Sequence, residues 1–211
     1  DDPEAPLGEG QQKFVGQILR NGEHLLYLIN RLLDLAKIEA SEISMTIEDV
    51  LVSEALEDCV DMARSLIKDR YIELIVEPAP SAQKTCRADK GMLRQALLNL
   101  LSNAIKYTGD GGTVAIRSQY LDADTVRFSI SDTGEGIPLE HQAGLFEPFD
   151  RLGLEAGPIE GTGIGLTITK HLVNLMDGKI GFESTKDEGS TFWIDLSSSE
   201  PMDTRRISAV Q

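Results

Sequence analysis

From residue 45 onward the hydrophobic period of this sequence switches repeatedly between helix and strand, without the regular strand–helix–strand rhythm that builds a parallel sheet. An extended run, Met45 to Val50, is followed by a helical one, Ser53 to Asp69, and by the alternating Ile72, Leu74 and Val76, which Pro78 and Pro80 close. A second helix is predicted from Lys90 to Lys106, with Leu93, Leu97, Leu100, Leu101 and Ile105 on its buried side. Val114 and Ile116, then Val126, Phe128 and Ile130, alternate on either side of the polar turn Leu121 to Asp124. Thr167 to Met176 is helical again, and Lys179 to Ser184 with Ser190 to Leu196 reads as a hairpin. The expected fold class is α+β, a two-layer α/β sandwich with a mixed, mostly antiparallel sheet under helices.

The region before residue 45 has a different texture. Residues 1–10, DDPEAPLGEG, read as a flexible lead-in, and residues 11–44 as one long helix. Phe14, Ile18, Leu25, Ile29, Leu32 and Ala36 form one apolar stripe, and Val15, Leu19, Leu26 and Leu33 a second beside it. Two stripes are too much apolar surface for a lone helix, so it is expected to pack in a bundle or coiled coil, against a helix outside this chain and a second copy of the molecule. A domain boundary near residue 44, a domain over 45–197 and a polar, disordered tail over 198–211 complete the expected organisation.

A formal charge of −15 over 211 residues sets the chain against phosphate backbones and anionic membranes, which argues against a nucleic-acid partner. No apolar run approaches the roughly 18 residues that cross a bilayer, so the fragment itself is expected to be cytoplasmic and to make no membrane contact. Cys59 and Cys86 have neither CxxC spacing nor neighbouring histidines, and read as small apolar residues.

Three clusters carry candidate chemistry. In the helix LRQALLNLLSNAIKYT, Asn99 and Asn103 share a face, with Lys106 and Tyr107 a turn further on. Such a face either meets water or holds a hydrated Mg²⁺ and the phosphates it bridges, because hard cations take oxygen ligands. DTGEGIP, Asp132 to Pro138, places a carboxylate at a strand end before a glycine turn. It is either a plain turn or a site where Asp132 accepts an exocyclic amine such as adenine N6 while Gly134 and Gly136 let the backbone approach a flat base. GTGIGL, Gly161 to Leu166, opens a helix, where backbone N–H groups and the helix dipole favour phosphate. The loop-like segment Arg151 to Glu160 before it speaks against a dinucleotide fold, and no GK[ST] follows to make a Walker loop. Between the second and third clusters, Ser131 to Gly165 is a long aperiodic stretch in which Phe146 and Phe149 of LFEPFDR read as anchors, and Gly153, Gly157 and Pro158 as hinges of a lid.

In this order and spacing, LRQALLNLLSNAIKYT, DTGEGIP, LFEPFDR, GTGIGLTITK and GSTFW resemble the N, G1, F, G2 and final glycine boxes of sensor histidine kinases. These kinases share a superfamily with gyrase, Hsp90 and MutL. The resemblance implies the Bergerat ATP-binding fold, with ATP and Mg²⁺ as cofactors. By it, Asn103 coordinates the metal; Asn99, Lys106 and Tyr107 face phosphates and base; Asp132, with Gly134, Gly136 and Ile137, holds the adenine. Gly161, Thr162, Gly163, Gly165 and Leu166 border the triphosphate, and Thr191 lies near the base beside Asp132. ILRNGEHLLYLINRLLDLAKIEA is similar to the second helix of the family's dimerisation and phosphotransfer domain, which implies a homodimer in the full-length protein and a response-regulator receiver domain as partner.

The ATP-hydrolysing relatives carry a glutamate where this chain has Asn99, and an amide cannot activate water; kinase chemistry is therefore expected over hydrolysis. The family's acceptor motif, a histidine followed by an acid, a base and Thr-Pro or Ser-Pro, does not occur. His24, His141 and His171 read as ordinary histidines, so the acceptor is expected on a helix upstream of Asp1. The alternative is a nucleotide-binding regulatory module without phosphotransfer.

Overall fold

The computed structural model describes residues 8, 10–19, 22, 25, 26, 29, 45–68, 70–77, 84–147 and 163–199. The chain divides into two compact units, Asp1–Ile43 and Ser44–Gln211. In the first, α1 is helical over residues 10–19, and residues 22, 25, 26 and 29 are helical as well. Phe14, Ile18, Leu25 and Ile29 of one stripe and Val15, Leu19 and Leu26 of the other are exposed. Leu32, Leu33, Ala36 and His24 lie outside the described residues, as does most of the lead-in.

The second unit runs β1 (Glu48–Leu51), α2 (Val52–Leu66), β2 (Glu73–Val76), β3 (Thr85–Ala88), α3 (Lys90–Tyr107), β4 (Thr113–Tyr120), β5 (Thr125–Asp132), α4 (Leu139–Gln142), α5 (Gly165–Leu175), β6 (Lys179–Thr185) and β7 (Gly189–Ser199). The strands form one sheet in the order β1-β3-β7-β5-β4-β2, with β6 also paired to β7. Only the β2–β4 pair is parallel among the described strands. Successive side chains of a strand point to opposite faces, and residues paired across strands share one. The register therefore lines up Ile116, Ile130 and Phe192 in one apolar row and Phe128 with Ile194 in the next. Val126 and Leu196 follow, and nearly all of these side chains are fully buried.

Helices α2, α3 and α5 complete the core, with α3 packed between the other two. In α2 the buried residues Val52, Ala55, Leu56, Cys59, Val60 and Ala63 recur at helical spacing and form a single stripe. On the opposite face of the sheet, Arg127 donates from Nε to Asp195 Oδ1 at 2.6 Å and from Nη2 to Oδ2 at 2.8 Å, and its guanidinium lies 3.9 Å from the centre of the Trp193 ring. Burial pushes the Cys59 and Cys86 thiols up to about 12, so both stay protonated and behave as the small apolar groups their sequence context suggests.

Several boundaries differ from the sequence expectation. The strand β3 was not expected; its Thr-Cys-Arg-Ala sequence is short and lacks a β-branched run, and its place is set by pairing with β1 and β7. The last strand continues through Ser199 instead of ending before a tail, because Ser198 and Ser199 pair with β3 and Thr85 Oγ1 lies 2.6 Å from Ser199 Oγ. The short helix α4 interrupts the stretch read as aperiodic.

The helix α3 is tied at both ends. At its start Asp89 caps it, Oδ1 accepting from Met92 N at 3.0 Å, while Oδ2 accepts from Thr46 N at 2.9 Å, just ahead of β1. Burial disfavours the Asp89 charge, but backbone N–H groups of Thr46, Met92 and Gly91 outweigh it and hold the carboxyl below its usual 3.8. At the other end Arg70 donates to Ile105 O and Thr108 O, both at 2.6 Å, satisfying carbonyls the helix leaves open. We expect Asp89→Ala to lower stability at neutral pH by about 1 kcal/mol, the usual worth of a cap. Because the folded pKa is depressed, this stabilisation is present above the unfolded value and fades as pH falls through the folded one. Thermal unfolding of wild type and variant between pH 7 and pH 2 should show the two curves converging.

Candidate functional site

The tethered α3 carries two asparagines in different states. Asn99 is 6% exposed, and its Nδ2 donates to Thr169 Oγ1 of α5 at 2.7 Å. Asn103, one turn on and half-buried, has no hydrogen-bond partner for its carboxamide among the described residues. A half-buried amide left without an internal partner can accept a ligand, whereas one spent on a helix–helix bond serves packing. Lys106 and Tyr107 follow, also half-buried, with Lys106 Nζ 5.0 Å from the centre of the Tyr107 ring.

The second wall is the turn after β5. Asp132 ends that strand on the helix-covered face, and its Oδ1 accepts from Gly134 N at 2.9 Å. Burial raises its carboxyl above the usual 3.8, with backbone N–H groups of Gly134 and Ser190 acting in the opposite direction. Gly134 sits against the Tyr107 carbonyl so closely that any Cβ there would collide with it. That contact brings Asp132 beside the end of α3 and makes glycine obligatory in the turn. Gly136 has φ +61°, and its Cβ position is filled by the Thr185 carbonyl, so it too is confined to glycine. Ile137 N donates to Ser184 Oγ at 2.8 Å, and Gln142 Nε2 of α4 donates to Ile137 O at 2.8 Å and to Ser184 O at 3.0 Å. The turn is thereby pinned to β6.

The third wall is the start of α5. Gly163, with φ +68°, Gly165 and Leu166 precede or open this helix. Its first turn is held on both sides: Thr167 Oγ1 donates to Phe146 O at 3.0 Å, and Thr169 faces Asn99. Phe146 packs edge-on to Phe182 at 5.9 Å, and Phe182 stacks on Phe192 at 5.6 Å, so of the two expected anchors Phe146 is seated on β6. Phe149, Gly161 and Thr162 lie outside the described residues, as do the hinge residues Gly153, Gly157 and Pro158. His141 is half-buried on α4 and His171 is exposed on α5.

One expected neighbour is displaced. Thr191 pairs with Ser131, not with Asp132, and Ser131 Oγ and Thr191 Oγ1 lie 2.9 Å apart. Alternation puts both on the face away from the helices, opposite Asp132. It is Ser190 that pairs with Asp132 and shares its face, and Ser184 extends the row, with Ser190 Oγ 2.9 Å from Ser184 Oγ. Ser190, Ser184, Gln142 and Thr169 were not read from the sequence as site residues. The pairing of GSTFW with the strand before DTGEG, counted residue by residue, carries the signal for Ser190; nothing local marks the other three.

The site is thus the place where the end of α3, the turn after β5 and the start of α5 meet. It brings together a half-buried carboxylate, an ammonium and, in Asn103, an amide without a hydrogen-bond partner among the described residues. The model of the histidine kinase-, DNA gyrase B- and HSP90-like ATPase family matches residues 88–200, more than half of the chain. The chain belongs to this ATPase family. Its sequence relatives include histidine kinases. The circadian input-output histidine kinase CikA of Synechococcus elongatus is 40% identical over 193 residues, covering 90% of this chain and 26% of that protein. The non-motile and phage-resistance protein of Caulobacter vibrioides is 37% identical over 191 residues, covering 88% of this chain and 22% of that protein. Among solved structures, full-length ShkA in complex with AMPPNP superposes with a TM-score of 0.79 at 30% identity, over 94% of this chain and 41% of that one. The chain spans about a quarter of the length of the two curated relatives, and the ATPase domain within it has the sandwich that the sequence implied.

Proposed function

We propose that this chain is the ATP-binding core of a protein-histidine kinase, which transfers the γ-phosphoryl group of ATP to a histidine outside the chain for relay to a receiver-domain aspartate. The observation that carries the reading is the contact of Gly134 with the end of α3, which sets the half-buried Asp132 beside the turn bearing Asn103, Lys106 and Tyr107. In this reading Asp132 accepts the adenine N6 amine, with Gly136 and Ile137 bordering the base and Ser190 beside Asp132. Lys106 and Tyr107 neutralise and flank the phosphates, and Gly161 to Leu166 cradle them from the start of α5. The donor set fits Mg²⁺: Asn103 supplies one carboxamide oxygen, and phosphates and water complete the shell of a hard cation. When bound, the metal neutralises charge that develops on the transferring phosphoryl group.

The amide at Asn99 cannot take a proton from water, and its bond to Thr169 occupies the nitrogen. The γ-phosphoryl group is thereby spared from hydrolysis for a positioned imidazole. The exposed stripes of α1 suit a bundle shared with the acceptor helix and a second copy of the whole protein, in which residues 11–44 form the second helix of the dimerisation and phosphotransfer domain. We assign residues 45–199 to the catalytic domain and place it in the cytoplasm; no helix among the described residues is long and apolar enough to cross a membrane.

The test is to add a peptide carrying the acceptor helix to this chain with γ-labelled ATP and Mg²⁺. Label that is acid-labile and base-stable on the peptide histidine is expected. Tight nucleotide binding with no labelled peptide would replace the kinase by a module that reports nucleotide occupancy.

A further inference from the structure

Thr169 lies in the middle of a helix and is fully buried. Its hydroxyl proton goes to Gly165 O at 3.0 Å. A threonine whose proton is spent in this way has only lone pairs left to offer, so whatever faces it must donate. Asn99 does so, through Nδ2 at 2.7 Å. This settles the orientation of the amide: Oδ1 turns to Gly165, where an added Cβ would stand only 2.6 Å from it. Asn99, Thr169 and Gly165 are therefore one joint between α3 and the first residue of α5, closed by a bond that a carboxylate at position 99 could not make.

We infer that Thr169 is a positioning residue for the triphosphate. By fixing the Asn99 amide it holds Gly165 and the start of α5 one helical turn from Asn103. It also explains in physical terms why position 99 suits an amide and not the general base of a hydrolase, since ionised glutamate has no proton to donate to Thr169. This inference rests on the ATP-binding reading of the site. Asp132 and Ser190 reach the nucleoside end of that site from the sheet, independently of the joint, so loosening it should affect phosphates and leave the base alone.

The experiment compares ATP and adenosine binding, with Mg²⁺, in wild type, Thr169→Val, Thr169→Ala and Thr169→Ser. Val keeps the shape but removes the hydroxyl, and should weaken ATP by roughly tenfold, the scale of one lost buried hydrogen bond, while adenosine changes by less than about twofold. Ala, which cannot overpack the site, should give the same selective loss, and Ser should restore ATP binding. Combined with Asn99→Ala, the ATP defect of Thr169→Val should not add, as for two ends of one bond. Equal weakening of ATP and adenosine would reduce Thr169 to a packing residue, and unchanged ATP affinity in Val and Ala would also overturn the inference. Wild type that binds adenosine no better than an unrelated nucleoside and fails to bind ATP would overturn the nucleotide reading itself.

Discussion

Asp132→Asn should weaken ATP binding by roughly 10- to 100-fold while raising the thermal stability of the ligand-free protein at neutral pH. The binding loss follows from replacing an ionised acceptor with a neutral amide, since hydrogen bonds to charged groups are worth about 1.5–3 kcal/mol. The gain in stability follows from the environment of the carboxyl. Burial raises its pKa above 3.8 in the folded chain, and the N–H groups of Gly134 and Ser190 only partly oppose it. A carboxyl with a raised folded pKa binds its proton more tightly when folded, so its ionisation costs stability as pH rises from the unfolded value through the folded one. Above that window wild type carries the full cost and the Asn variant none; below 3.8 the difference should vanish. Asn keeps an oxygen for the Gly134 N–H, so the turn itself is preserved. Titration of a fluorescent ATP analogue, with melting curves between pH 4 and pH 8, would measure both effects. Nucleotide affinity of wild type should fall on acidification through the raised pKa and that of the variant should stay flat. A variant that binds ATP like wild type would remove Asp132 from the adenine site.

Asp89 and Asp132 show why two carboxylates that look alike in a string of letters end with opposite electrostatics. Asp89 stands at a helix start with several backbone donors turned on it, and its pKa falls; Asp132 is buried deeply enough that desolvation prevails, and its pKa rises. The first is a structural cap and the second is an acceptor held at some cost, as functional groups often are.

What the sequence revealed about the site was whatever is local. The box containing Asn99 and Asn103, the glycines of the DTGEG turn and the Phe146 anchor are strings whose meaning depends on spacing of a few residues, and the structure sets the turn against the end of α3 and Phe146 against the first turn of α5. The strand neighbour of Asp132 was misread because it depends on register. One step along β7 exchanges Ser190 for Thr191 and carries the hydroxyl to the other side of the sheet, and only the pairing with β5 decides which. Thr169 was invisible for a related reason: a threonine in a helix is unremarkable until the partner 70 residues away is known. The strand β3 and the last residues of β7 hold each other through backbone pairing and hydroxyls rather than apolar alternation, and that bond exists in neither sequence alone.

The two asparagines of α3 should separate binding from stability. Asn103→Ala removes a half-buried carboxamide that satisfies no other described group, so its melting temperature should stay within about 1 °C of wild type. Its Mg²⁺ response should disappear: wild type should bind ATP more tightly as Mg²⁺ is added, and the variant should bind it equally with or without the metal and lose at least tenfold of phosphotransfer to an added acceptor helix. Asn99→Ala instead leaves Thr169 Oγ1 without its donor in a fully buried site and opens a small void beside Gly165. The expected cost is about 1–3 kcal/mol, which lowers the melting temperature by about 2–4 °C for each kcal/mol in a domain of this size. Its Mg²⁺ response should survive, weakened only as far as the start of α5 shifts. Calorimetric melting and ATP titrations with and without Mg²⁺ on both variants would decide it. Loss of the Mg²⁺ response in Asn99→Ala with an unchanged melting temperature, and the converse in Asn103→Ala, would exchange the roles assigned to them and place the metal one helical turn nearer the start of α5.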